Sequence, residues 1–415
     1  MTSVLQPAAA TSRTARRLLP MALIFLAVGT STAMVGPFLT LFLTQAVHAV
    51  SLQVTAFLII APLSSVTVST VLGRLSDRYP IRRQLIIAAA LAGASGTLAT
   101  SMIRNYWALL ALTVTATAAA GSLVPQLFAY VRTTVAGSDR AAMTTSSLRT
   151  LFSVSWVAGP FVATVLVGLG GFRLSYSVSS AMYLLAALIA WRLLPAAPPV
   201  HVPPEPAAES VSAGSGPVPY VPPEPPPAAP APDAPRRVIF LTVAAFALMQ
   251  CATGLGVQAM SLFVITDLHG GIGSAGVILG VCAGLEIPLM LGFGFLTTRV
   301  PLRRLVLCGP LFSIAYTLSV AASTHVWQVA AAQLFAACTV SVVQGLGVSY
   351  VQEMLPRQPG RASTLFTNAF PAGQMMAGPI LGVAQHVGYR AAYLSAAGLA
   401  LTAFAVLKLA RARRR

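Results

Sequence analysis

The chain has 415 residues, 56% of them hydrophobic and 8% charged, with a formal net charge of +17. Soluble domains carry roughly 25% charged residues, so a water-exposed fold is excluded. The basic excess, 26 Lys and Arg against 9 Asp and Glu, sits in short clusters between apolar runs. With no basic stripe interleaved with aromatics, a nucleic-acid partner is excluded as well.

In chain order, residues 1–19 read as a cytoplasmic tail carrying Arg13, Arg16 and Arg17. The apolar run that follows is too long for a signal peptide and serves as a first membrane span. Crossing a hydrocarbon core of about 30 Å takes about 20 apolar residues. Runs of that kind are predicted at 20–46, 52–74, 84–103, 106–134, 142–169 and 172–194, and again at 237–266, 273–298, 303–323, 326–352, 363–387 and 389–410. The prediction is an all-α membrane protein of twelve transmembrane helices, six in residues 20–194 and six in 237–410. Between them, 195–236 holds 16 of the 30 prolines and reads as a disordered cytoplasmic linker. Residues 411–415 form a basic tail.

With the N-terminus inside, the Arg and Lys clusters fall on one side of these spans, and only Arg104, Arg173 and Arg390 on the other. That bias places both termini in the cytoplasm and requires an even number of spans. The four cysteines each lie within an apolar run, with no paired spacing and no neighbouring His, so no metal site and no cofactor is expected. No phosphate-binding loop or nucleophile motif marks an enzyme.

The two halves repeat. Gly73-Arg-Leu-Ser-Asp-Arg-Tyr-Pro-Ile-Arg-Arg83 aligns with Gly294-Phe-Leu-Thr-Thr-Arg-Val-Pro-Leu-Arg-Arg304 at an offset of 221. Trp107 then matches Trp327, Ala158-Gly-Pro160 matches Ala377-Gly-Pro379, and Gly171-Phe-Arg-Leu-Ser-Tyr176 matches Gly388-Tyr-Arg-Ala-Ala-Tyr393. Two like-oriented bundles meeting at mid-membrane suit a transporter that rocks about a central site.

The first of these strings resembles the loop 2–3 signature of the major facilitator superfamily, with Gly73, Asp77, Arg78, Arg82 and Arg83 in place and Pro80 and Ile81 departing from it. Within that superfamily the chain is similar to the bacterial sugar efflux transporters. The segments that carry this are Pro125-Gln-Leu-Phe-Ala129, Trp156-Val-Ala-Gly-Pro160, Ala283-Gly-Leu-Glu-Ile-Pro288, Gln352-Glu-Met-Leu-Pro356 and Arg361-Ala-Ser-Thr-Leu-Phe-Thr-Asn368. The resemblance implies two pseudo-symmetric six-helix bundles in a bacterial inner membrane, acting as a monomer. It also implies proton-coupled export of small sugars or glycosides, with protons, the sugar and membrane lipid as partners. A drug or natural-product exporter on the same fold is the alternative.

Charge inside a span is costly and marks function. Glu286 in the eighth span and Arg149 in the fifth fall at similar depths by residue count, and the resemblance implies that these spans pack together. The pair is expected within salt-bridge range, directly or through one water, either as a proton-coupling switch or as a permanent structural bridge. The loop residues Gly73, Asp77, Arg78, Arg82 and Arg83 read as a gate latch by the same resemblance. For a polyhydroxylated substrate the candidates are Gln126 and Tyr130 on one helix face, with Gln250, Gln258, Gln344, Asn368 and Gln374, and Trp156 as an aromatic platform.

Overall fold

The computed structural model describes residues 7–134, 141–195 and 233–410. All regular structure among them is helical. That is what a bilayer permits, because every backbone N–H and C=O must find its partner within its own segment. The helices are α1 (Pro7–Val35), α2 (Leu39–Gln45), α3 (Ser51–Arg78), α4 (Arg82–Met102), α5 (Tyr106–Leu112), α6 (Ala118–Gly121) and α7 (Leu123–Thr134), followed by α8 (Ala141–Leu193). The second half holds α9 (Arg236–Thr266), α10 (Ile272–Leu296), α11 (Leu302–Ala322), α12 (Val326–Met354), α13 (Pro359–Val387) and α14 (Tyr389–Leu409). Most of the predicted linker, 196–232, and the predicted tail 411–415 lie outside the described residues.

Ten stretches among the described residues are long and apolar enough to cross a membrane. One of them, Val154–Leu193, is two rods in series, since α8 breaks at Gly170 and Gly171. Helix α13, at 29 residues, has the length of a span but is not among these ten. These two account for the remainder of the predicted twelve. The predicted first span is also not one rod. At Gly36-Pro37 it tightens into a single 3₁₀ turn, Gly36–Phe38, before continuing as α2. The fourth span is α5 to α7, interrupted by one π-helical turn over Thr113–Thr117.

The repeat read from the letters is a repeat in space. Gly171 has φ 65° and Gly388 has φ 113°, so the matching glycines turn the chain between the last two rods of each half in a region closed to most L-residues. Phe42 packs on Tyr176 at 4.8 Å between ring centroids, and its counterpart Phe263 packs on Tyr393 at 5.3 Å. His48 and His269, also matched at 221, are the two non-glycine residues with positive φ among those described. Each closes the end of its half's first span, with the following amide reaching back to Leu43 or Val264.

The halves do not meet equally along their length. At the end of the molecule away from the termini, one hydrophobic core includes Phe42, Leu58 and Ala163 of the first half and Phe263, Ile278 and Leu381 of the second. Towards the termini this core divides in two, around Phe25 and Tyr130 in one half and around Phe246 and Tyr350 in the other. Contact across the seam runs through α8 with α10 and α3 with α13, plus α2 with α9. Glycines make it close: Gly276 sits on Thr164 and the Pro160 carbonyl, Gly280 on the Val157 carbonyl, and Gly378 on Leu58. Small residues are what let helices associate in lipid, where no hydrophobic drive acts between them. The seam is therefore shut at the distal end and parted at the terminal end.

Nothing crowds a Cβ at Gly171, so its constraint is conformational alone. Gly171→Ala should destabilise the detergent-solubilised protein by about 1–3 kcal/mol. Gly168→Ala, at an equally open position without positive φ, should leave the melting temperature unchanged.

Candidate functional site

Glu286 is half-buried on α10. Its carboxylate accepts from the Cys282 thiol one turn back at 3.6 Å, and its backbone carbonyl accepts from Ser341 Oγ of α12 at 3.2 Å. At 100° per residue, Glu286 lies roughly a quarter to a third of a turn from the Gly276 and Gly280 face that meets α8. The antiparallel contacts of Gly276 with Thr164 and Gly280 with Val157, carried on by the common rise, bring Glu286 level with about residue 151 of α8. The backbone of Arg149 is thus within one turn of that level. The side chain of Arg149, and with it the expected ion pair, lies outside the described residues, as does the side chain of Asp77.

The seam contains a hydrogen-bond chain between the halves. Gln258 Nε2 of α9 donates to Gln374 Oε1 of α13 at 2.9 Å, and Thr40 of α2 donates to Gln258 Oε1 at 3.4 Å. Gly254, one turn from Gln258, leaves the room that Gln374 occupies, since a Cβ there would lie 2.6 Å from Gln374 Nε2. Gln250 is buried against Gly373 with Nε2 unpartnered. Gln344 is half-buried on α12 and Asn368 is exposed on α13. Of the four tryptophans, Trp107, Trp191 and Trp327 are 68%, 55% and 67% exposed, as expected of rings at a membrane–water boundary. Trp156 alone turns inward, beside Gly36 where the first span tightens.

Two of the expected contacts belong elsewhere. Tyr130 is 1% exposed in the core of the first half, and its hydroxyl donates to the Pro195 carbonyl at 2.9 Å, which ties α7 to the end of α8. Gln126, on the same face, is also buried, with Oε1 unpartnered. Their shared face points into the bundle and not onto the seam. Thr40, Cys282 and Ser341 went unnoticed in the sequence. Only Cys282, one turn from Glu286, carried a local signal.

The residues expected in a loop are helical instead: Gly73 and Arg78 lie in the last turns of α3, and Arg82 and Arg83 open α4, so only 79–81 connect the two. Gly73 has open space around it and Arg78 is exposed. Arg82 donates to the Ala129 carbonyl at 3.1 Å, and Arg83 to the Trp191 carbonyl. In the second half Arg303 donates to the Leu407 and Lys408 carbonyls. Arg83 and Arg303 thus satisfy carbonyls in the last turn of a helix, where the dipole favours a cation.

The Thr40–Gln258–Gln374 chain spans the closed end of the seam, so removing its centre should loosen that end. Gln258→Leu, with spin labels at the exposed distal positions Leu52 and Val387, should show a second, longer distance distribution. An unchanged single distribution would mean that the apolar core alone holds the distal end shut.

The comparisons with known proteins agree with this architecture. The family model of the Major Facilitator Superfamily matches residues 21–312 and 257–415. Sugar efflux transporter A of Dickeya chrysanthemi is 32% identical over 401 residues, covering 94% of this chain and 97% of that protein. The protein of the same name from Escherichia coli strain K12 is 29% identical, over 91% and 93%. Among solved structures, the nucleoside transporter NupG superposes with a TM-score of 0.71 at 13% identity, covering 95% of this chain and 98% of that one, a likeness of fold alone. The chain belongs to the sugar efflux transporter family of the major facilitator superfamily.

Proposed function

We propose that the protein exports small sugars or glycosides across the bacterial inner membrane by proton antiport and alternating access, with both termini cytoplasmic. The observation that carries this is the near end-to-end kinship with proteins named sugar efflux transporters. The seam agrees with it: amides that both donate and accept, with one inward-turned tryptophan, suit a ligand of hydroxyls and apolar ring faces. With the basic clusters inside, the parted end of the seam is cytoplasmic, which is the state in which an exporter loads.

In this reading Gln250, Gln258, Gln344, Asn368 and Gln374 contact the sugar and Trp156 stacks on it. Glu286 is the proton carrier. Deprotonated, it is held by the Arg149 charge. Protonated from outside, it releases that partner and favours return to the inward-open state. The α3–α4 junction of Gly73, Asp77, Arg78, Arg82 and Arg83 latches the cytoplasmic end once the halves close there.

Flux in proteoliposomes of labelled lactose, labelled glucose and a hydrophobic dye, with and without a pH gradient, tests the assignment. Sugar movement driven by the gradient is expected, and movement of the dye alone would instead establish a drug exporter. Glu286→Gln should lower gradient-driven export by roughly tenfold or more, the scale of a proton–substrate coupling free energy, while equilibrium sugar binding persists. Full retention of proton dependence would remove Glu286 from the mechanism.

A further inference from the structure

The offset of 221 that relates the halves pairs Glu286 with Ser65 and Cys282 with Ala61. In the fourth and tenth spans, where Trp107 matches Trp327, the offset is 220 and pairs Gln333 with Thr113 and Ser341 with Gly121. The pairing is spatial as well as numerical. Ser341 meets Glu286 in one half, and Ser65 abuts Gly121 in the other. At all four positions the first half carries the smaller side chain.

The space so left is a half-open cleft of about 320 Å³ in the first half, with Thr117 and Gly121 exposed at its edge, at the small end of ligand pockets, which run from about 300 to 1,000 Å³. Its walls come from α1, α3 and the fourth span, with Tyr183 of α8. Two helix irregularities border it. Pro62 withdraws an amide from the α3 ladder, and the π turn at Thr113–Thr117 widens the fourth span, whereas α12 runs unbroken through the matching stretch. Tyr183 reverses the trend in size: its counterpart, at the offset of 217, is Ala400. One side of the Tyr183 ring packs on Gly93 of α4, where a Cβ would come within 2.7 Å of it.

The chemistry of the walls selects the occupant. Among the described residues no lining side chain is charged, so neither an anion nor a cation is recognised. Thr32 gives its hydroxyl proton to the Val28 and Gly29 carbonyls at 3.0 and 2.9 Å, and Thr113 gives its own to Leu109 at 2.8 Å. Their oxygens are left as acceptors. Ser65 and Thr117 add two further hydroxyls to a lining otherwise of Ala, Gly, Val and Pro. The fitting guest is neutral, has apolar faces and supplies O–H donors around its rim.

We propose that this cavity holds one pyranose ring of the transported sugar, with Tyr183 as its platform and Thr32, Ser65, Thr113 and Thr117 accepting from its hydroxyls. The two halves then use one repeated pocket for different cargo, the second for a proton on Glu286 and the first for the sugar ring. The inference rests on the sugar reading above and adds a compartment within the first half to the amides of the seam.

Binding of labelled D-glucose and lactose to the full chain in lipid nanodiscs tests it. The double substitution Thr113→Val with Thr117→Val keeps volume and removes two acceptors. It should weaken binding of both sugars at least tenfold with an unchanged melting temperature, whereas Thr113→Ser with Thr117→Ser should retain binding. Ala61→Phe, which fills the cavity, should abolish binding, and if that variant fails to fold the valine pair decides. Wild-type binding that survives the valine pair within twofold overturns the cavity assignment and leaves the sugar reading intact. A wild-type protein that binds neither sugar removes the sugar reading itself.

Discussion

The structure depends on two bundles being joined at one end only. Lipid tails are as apolar as leucine, so nothing hydrophobic presses helices together within the membrane, and close backbone approach has to supply the attraction. Gly276, Gly280 and Gly378 supply it where α10 meets α8 and α13 meets α3. A continuous apolar core from both halves backs these contacts distally, and two separate cores stand where the seam parts. Each bundle is internally complete at the parted end. The halves can therefore exchange one contact zone for another without unpacking either, as rigid-body alternation requires.

Within that frame the halves have diverged in one pocket. The same position in the repeat carries Glu286, backed by Cys282 and Ser341, in one bundle, and Ser65 above Gly121 in the other. A charge inside a membrane is tolerated where protein surrounds it, and space lined by hydroxyls is tolerated where water or a ligand can meet them. Duplication supplied the geometry twice, and side-chain size gave each copy its own content.

The fold was legible because its signals are local. Spans follow from apolar length, and the repeated strings Gly171-Phe-Arg and Gly388-Tyr-Arg fall at both positive-φ glycine breaks. Glu286 stood out because a lone acid in an apolar run needs a reason. The site was less legible. The links from Gln258 to Thr40 and to Gln374 join residues 218 and 116 positions apart, which no local pattern encodes. The spacing of Gln126 and Tyr130 showed that they share a helix face but not where that face points. In a membrane bundle the interior and the seam are both partly polar, so hydropathy cannot separate them. The break at Gly36-Pro37 has a visible cause, whereas the π turn at Thr113–Thr117 has none in its letters.

The arginines at the distal end show what the duplication conserves. Arg104 donates to the Thr100, Ser101 and Ile103 carbonyls at the end of α4 and lies 5.5 Å over Phe42. Arg390 donates to the Ala321 and Ser323 carbonyls at the end of α11 and lies 5.8 Å over Phe263. Helices α4 and α11 are counterparts, as are the two phenylalanines, but the arginines are not. One follows the third rod of its bundle and the other opens the sixth. Each copy has recruited a guanidinium from a different part of the chain to do one job, closing a helix terminus above an aromatic ring. Ancestry fixed the vacancy, physics fixed the kind of group that fills it, and neither fixed the donor's address.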